Sequence, residues 1–222
     1  MLFQILQSYF NLDTVQKVTV SILPVIFAIT VHEAAHGYAA RHFGDMTAAA
    51  AGRISLNPLR HIDPFGTILL PLMTSLLGGV MFGWAKPVPV NFGRLRHPKR
   101  DMLWVAAAGP GSNLAMALLW VAAIKISMLL PSYAAVPLTY MGAAGVWINT
   151  ILMVLNLFPL PPLDGGRIAV SLLPQPYAYK YAQIERYGFI ILIVLLFTGI
   201  LGKILWPLIN VVIGLLSVIF NF

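Results

Sequence analysis

The chain has no cysteine, so disulfides and thiolate metal sites are excluded, and any metal must be held by His, Asp or Glu. Charge is nearly as scarce. Only 9% of the 222 residues are Asp, Glu, Lys or Arg, where a soluble domain carries roughly 25%. So few charges cannot cover a globular surface. With 59% hydrophobic residues and a mean hydropathy of +0.84, most of the exterior must face lipid, and the chain reads as an all-α polytopic membrane protein. Acids are scarcest: Asp13, Glu33, Asp45, Asp63, Asp101, Asp164 and Glu185 are the whole set. The 14 Lys and Arg give a net charge of +7. They sit in short loops between apolar stretches, as membrane topology demands, which argues against a nucleic-acid partner.

The N-terminus shows neither a basic n-region nor a small-residue cleavage site, and reads as an interfacial amphipathic lead-in. The first apolar stretch, 18–40, has about the length a span needs. A second run, 65–82, is shorter and interrupted by Pro71 and Gly78-Gly79. Strong spans follow at 102–130 and 136–158. The closing stretch, 189–220, is too long for one upright span, and Lys203 and Pro207 suggest a break. This predicts about five to six membrane segments in one integral-membrane domain, 1–222, with a core at about 18–173 and C-terminal segments at 187–222. Arg and Lys cluster in 41–63, 83–101 and 159–186, while 131–137 carries no charge. By the positive-inside rule the three basic segments are cytoplasmic. Both ends of 65–82 then lie on one side, which predicts a re-entrant or short element.

The chemistry centres on Thr30-Val31-His32-Glu33-Ala34-Ala35-His36. In a helix, residues i and i+4 share a face, so both imidazoles can reach one zinc. Glu33 is rotated by ~100° from His32, a position suited to taking a proton from activated water. Ionisable groups are expensive inside a span, and three within five residues need a shared purpose. A catalytic zinc needs a third protein ligand. His42 lies ~9 Å along the same helix from His36, too far to share its metal. His61 and His97 sit among Arg and Pro and read as solvated. Asp164, in Pro-Pro-Leu-Asp-Gly-Gly, suits either a ligand role or the cap of a helix beginning near Arg167.

HEAAH in a transmembrane helix, followed far downstream by NLFPLPPLDGG from Asn156, resembles the site-2 protease family of intramembrane zinc metalloproteases. AGPGSNL (108–114) resembles that family's Gly-Pro motif on the intervening core helix. NPLRHIDPFGT (57–67) and FGWAKPVPVN (82–91) resemble the compact subgroup without a PDZ or CBS domain. The resemblance covers about 18–173. It implies three core helices carrying the three motifs, one catalytic Zn2+ on His32, His36 and Asp164, Glu33 as catalytic base, and Asn156 binding substrate or stabilising the oxyanion. The implied substrate is a transmembrane protein, cleaved in or near its span on the cytoplasmic side of the cell membrane. Substrate must unwind locally before attack, because helical carbonyls are tied up in i→i−4 bonds. Pro87-Val88-Pro89-Val90 favours extended backbone and reads either as an edge strand for holding it or as an interfacial loop tied to headgroups by Arg94, Arg96, Lys99 and Arg100; Asn113 is a candidate for the substrate side, for supporting the site from behind, or for an interhelical hydrogen bond. Two other functions compete. A zinc-binding or transport protein would need acids along a path, and none lies mid-span outside the motif. A catalytically inert relative would not need an intact Glu33.

Overall fold

The computed structural model describes residues 1–69 and 86–222. Among these, all regular structure is helical: α1 (Leu2–Phe10), α2 (Thr14–His42), α3 (Thr47–Ala50), α4 (Pro98–Ser127), α5 (Ser132–Asn156), α6 (Asp164–Leu172), α7 (Tyr177–Ala182), α8 (Glu185–Phe197) and α9 (Ile200–Ile219). Helices α2, α4, α5 and α9 are long and apolar enough to cross a membrane, so the chain is a polytopic all-α membrane protein. The re-entrant reading of 65–82 falls largely outside the described residues.

The local sequence explains the ends of the two helices that matter most. Asp13 caps α2, its carboxylate accepting the Gln16 amide at 2.9 Å while the Gln16 side chain accepts the Asp13 amide at 3.3 Å, a reciprocal capping box. Pro98 opens α4 at a position where its missing N–H costs nothing. Helix α4 is central, packing on α2, α5 and α6. Lipid offers no hydrophobic drive between helices, so close approach of small residues does the work. On α5, a Cβ added to Gly142 would come within 2.5 Å of Ile124 Cγ1, and Gly145 leaves room for the Trp120 indole.

The N-terminal lead-in is amphipathic: Leu2, Leu6 and Tyr9, spaced along one face of α1, are buried in the main core while Phe3 and Phe10 are exposed, and α1 packs on α5 and α9. The break in 189–220 falls at Thr198-Gly199 rather than at Lys203 or Pro207. Gly199 takes a left-handed φ of +72° between α8 and α9, which costs a glycine little. Pro207 sits inside α9, as membrane helices tolerate.

The loops over the end of α2 are tied together by Asp45, which is fully buried. Its carboxylate accepts the Thr47 hydroxyl (2.5 Å), the Thr47 amide (3.0 Å) and the Asn91 amide (2.7 Å). Burial alone would push this carboxyl up; those three donors and the Arg94 charge outweigh it and hold it below the ordinary carboxylate value. His61, expected to be solvated, is buried instead. Its Nε2 meets the Ser55 carbonyl at 2.8 Å, and its own carbonyl accepts the Lys86 amide at 2.9 Å.

Candidate metal centre

His32 and His36 project from one face of α2 towards α4, and Asp164, the first residue of α6, completes the cluster. His32 Nε2 and His36 Nε2 are 3.1 Å apart, and Asp164 Oδ2 lies 3.3 Å from each. The sequence allowed Asp164 to be a helix cap. Here Leu163 holds the cap position and the Asp164 carboxylate turns inward.

The other side of each imidazole decides what the cluster can hold. His32 Nδ1 is 2.6 Å from Asn113 Oδ1 and His36 Nδ1 is 2.8 Å from the Val105 carbonyl. Asn113 is oriented by its amide nitrogen, which donates to Asn149 Oδ1 at 2.9 Å and to the Ala28 carbonyl at 3.4 Å. Both partners of the histidines are therefore acceptors, and both Nδ1 atoms must donate. A neutral ring protonated at Nδ1 carries its lone pair on Nε2. Three lone-pair atoms thus face one point, and Asp164 Oδ2 is buried with no hydrogen-bond donor. Such an arrangement is repulsive and poorly solvated when empty. A divalent cation resolves all three at once, and the fixed tautomers are those a metal-binding histidine requires.

Space for the cluster comes from Gly109 on α4. A Cβ there would collide with His36 Nε2 and come within 2.6 Å of His32 Cε1. Gly109 packs directly against the two imidazole rings. On α6, Gly165 and Gly166 let the helix start press against the backbone of Leu157 and Pro161, which brings Asp164 to the histidines.

Glu33, adjacent to His32, accepts the Val88 amide on Oε2 at 2.8 Å. Residues 86–91 form neither helix nor strand. Val88 is buried, and the Asp45–Asn91 bond and the Arg53 guanidinium on the Lys86 carbonyl (2.9 Å) pin the segment. Its Val88 N–H is spent on Glu33, not free for an incoming strand. Asn113 is fully buried behind His32 and takes the supporting, interhelical role rather than the substrate side. Asn156 ends α5 with its amide donating to the Leu152 carbonyl at 2.9 Å; no contact to the cluster is among its described bonds. Sequence reasoning missed Asn149 and the Val105 carbonyl. Asn149 carried a signal, a polar side chain mid-span; a backbone carbonyl carries none.

The comparisons fit this geometry. The model of Peptidase family M50 matches residues 124–198, a range that includes Asn156 and Asp164 but not HEAAH. The Bacillus subtilis protein named "Putative zinc metalloprotease YwhC" is 40% identical over 196 residues, covering 85% of this chain and 85% of that protein. The chain belongs to peptidase family M50. A Mycolicibacterium smegmatis protein, "Putative zinc metalloprotease Rip2", is 30% identical over 181 residues, 80% of this chain and 66% of its own length. The Mycobacterium tuberculosis H37Rv protein of the same name is 30% identical over 171 residues, 77% of this chain and 63% of that protein. No solved structure matches significantly. M50 is the site-2 protease family that the motifs resemble.

Proposed function

We propose that this chain is an intramembrane zinc metalloprotease that hydrolyses peptide bonds in or near the transmembrane segments of membrane-protein substrates, as in regulated intramembrane proteolysis. The carrying observation is the convergence of His32 Nε2, His36 Nε2 and the donor-less Asp164 Oδ2 on one point. The relatives' names add zinc to that donor set. Residues 1–222 form one integral-membrane protease domain, with its core at about 18–173 and its site toward the cytoplasmic side of the cell membrane.

His32, His36 and Asp164 would hold the zinc, which when bound supplies Lewis acidity to activate water and polarise a carbonyl near neutral pH. Glu33 accepts the proton from the attacking water and returns it to the leaving amine. The Val88 amide holds Glu33 Oε2, which keeps the carboxylate aimed while its other oxygen works. Asn113 and the Val105 carbonyl keep both imidazoles in the tautomer that binds. Asn156 serves the substrate carbonyl as a donor through the second N–H of its amide, the first being held by the Leu152 carbonyl. Residues 87–90 line the approach of unwound substrate.

The test is reconstituted protein with a tethered transmembrane peptide. Asp164→Ala is expected to lose zinc and cleavage together, because two neutral imidazoles leave the metal charge uncompensated. Glu33→Gln is expected to keep zinc and lose about 10²- to 10⁴-fold in rate. Full zinc and full cleavage in Asp164→Ala would move the third ligand elsewhere. Zinc binding without cleavage in the unaltered chain would favour an inert or zinc-binding relative.

A further inference from the structure

We propose that the junction of α4, α6 and α7 is a binding site for an anionic phospholipid. A groove of about 560 Å3 opens between the start of α4 and the end of α6, lined by Lys99, Arg100, Leu103, Trp104, Ser171 and Leu172. Next to it, across Leu173, a second groove of about 380 Å3 is lined by Tyr177, Lys180, Tyr181 and Ile184. Cations stand in both grooves and the rest of the walls are mostly apolar or aromatic. Trp104, Leu172 and Tyr177 are 58%, 67% and 63% exposed.

Two of the three cations there have no anionic partner among the described residues. Among those residues Lys99 Nζ donates only to the Leu173 carbonyl, at 2.5 Å, which is a neutral acceptor. Lys180 has no ion pair among the described residues. Arg100 alone is matched, by Asp101 at 3.2 Å. Two cations without a described anion, Lys99 at the start of the membrane-spanning α4 and Lys180 on the short α7, beside exposed apolar walls, fit a ligand with a negative head and a hydrocarbon tail. Trp104 is ~9 Å along α4 from Pro98, a depth at which an indole borders acyl chains. A zwitterionic lipid offers the tail but no net charge, so the site selects for the anionic class.

Full-length protein in lipid nanodiscs tests this with brominated acyl chains on phosphatidylglycerol or phosphatidylcholine. The chain has five tryptophans, so the Trp104 signal is the difference between wild type and Trp104→Phe. Brominated phosphatidylglycerol is expected to quench Trp104 at a lower mole fraction than phosphatidylcholine bearing the same chains. Lys99→Gln and Lys180→Gln should each raise the half-quenching fraction about fivefold, and Lys99→Arg should restore it. The Lys180 side chain makes no described hydrogen bond, so its variant reports on charge even if Lys99→Gln fails to fold. Superimposable quenching curves for the two lipids would overturn the site, as would a phosphatidylglycerol curve that neither glutamine variant moves.

Discussion

A methyl group is the smallest probe of the metal centre, and Gly109 is where to place it. Alanine is the better helix former by about 1 kcal/mol, so helix propensity alone favours Gly109→Ala. Sterics oppose it, because the added carbon would meet His36 Nε2. The ring must move, and the metal site with it. Zinc per protein is expected to fall about tenfold or more in Gly109→Ala, comparable to losing an outer-shell partner. Gly111→Ala, where nothing lies within 4 Å, should keep its zinc. Asn113→Ala acts through the tautomer instead. With Oδ1 gone, His32 Nδ1 loses its acceptor, and zinc affinity should drop 10- to 100-fold, read by chelator competition. Equal affinities in wild type and Asn113→Ala would show that Asn113 merely packs helices.

Among elements, the loops capping the end of α2 carry a pH dependence of known sign. The Asp45 carboxyl is held below its ordinary value in the fold, so its contribution is full above about pH 4 and fades as pH falls through the lowered folded value. Hydrogen exchange at the Asn91 and Thr47 amides should therefore stay slow at pH 6 and rise, relative to intrinsic rates, in acid. Asp45→Asn should exchange fast already at pH 6. An unchanged variant would mean that neighbouring contacts hold the loop. What the sequence made legible at this scale follows from the physics. Helices α2, α4 and α5 announce themselves as long apolar runs, because lipid demands them. The kink between α8 and α9 did not, since Lys203 and Pro207 are permitted in a membrane helix while Gly199 looks like any other small residue. The burial of one face of α1 and of His61 depends on partners distant in the chain, which local pattern cannot show. At the site, His32, His36 and Asp164 were legible because ionisable groups are conspicuous in an apolar chain. The Val105 carbonyl acts through the backbone and leaves no compositional trace, and the space Gly109 provides is defined only by histidines on another helix; Asn149 showed itself only as a polar residue mid-span.

At the scale of the molecule, the backbone bond from the Lys86 amide to the His61 carbonyl brings 61 and 86 side by side, and the Arg96 amide on the Phe43 carbonyl at 2.9 Å ties 96 to the end of α2. Arg60 and Arg96 are both exposed. The chain has no native cysteine, so single cysteines at positions 60 and 96 can be labelled cleanly. Both are expected to react only with reagent on the cytoplasmic side, and opposite-side labelling would redraw the topology. A last consequence lies in the spacing of Val105, Gly109 and Asn113 on α4. These recur every fourth residue, as His32 and His36 do on α2, so the two helices mesh like the scales of a vernier. One extra residue between 105 and 113 would turn the later marks by ~100°, sending the Asn113 carbonyl away from His32 while Val105 still met His36. The interval has a reading frame. A lineage can lengthen the 128–131 turn freely, yet it cannot change the count between 105 and 113 by one without unsetting a histidine.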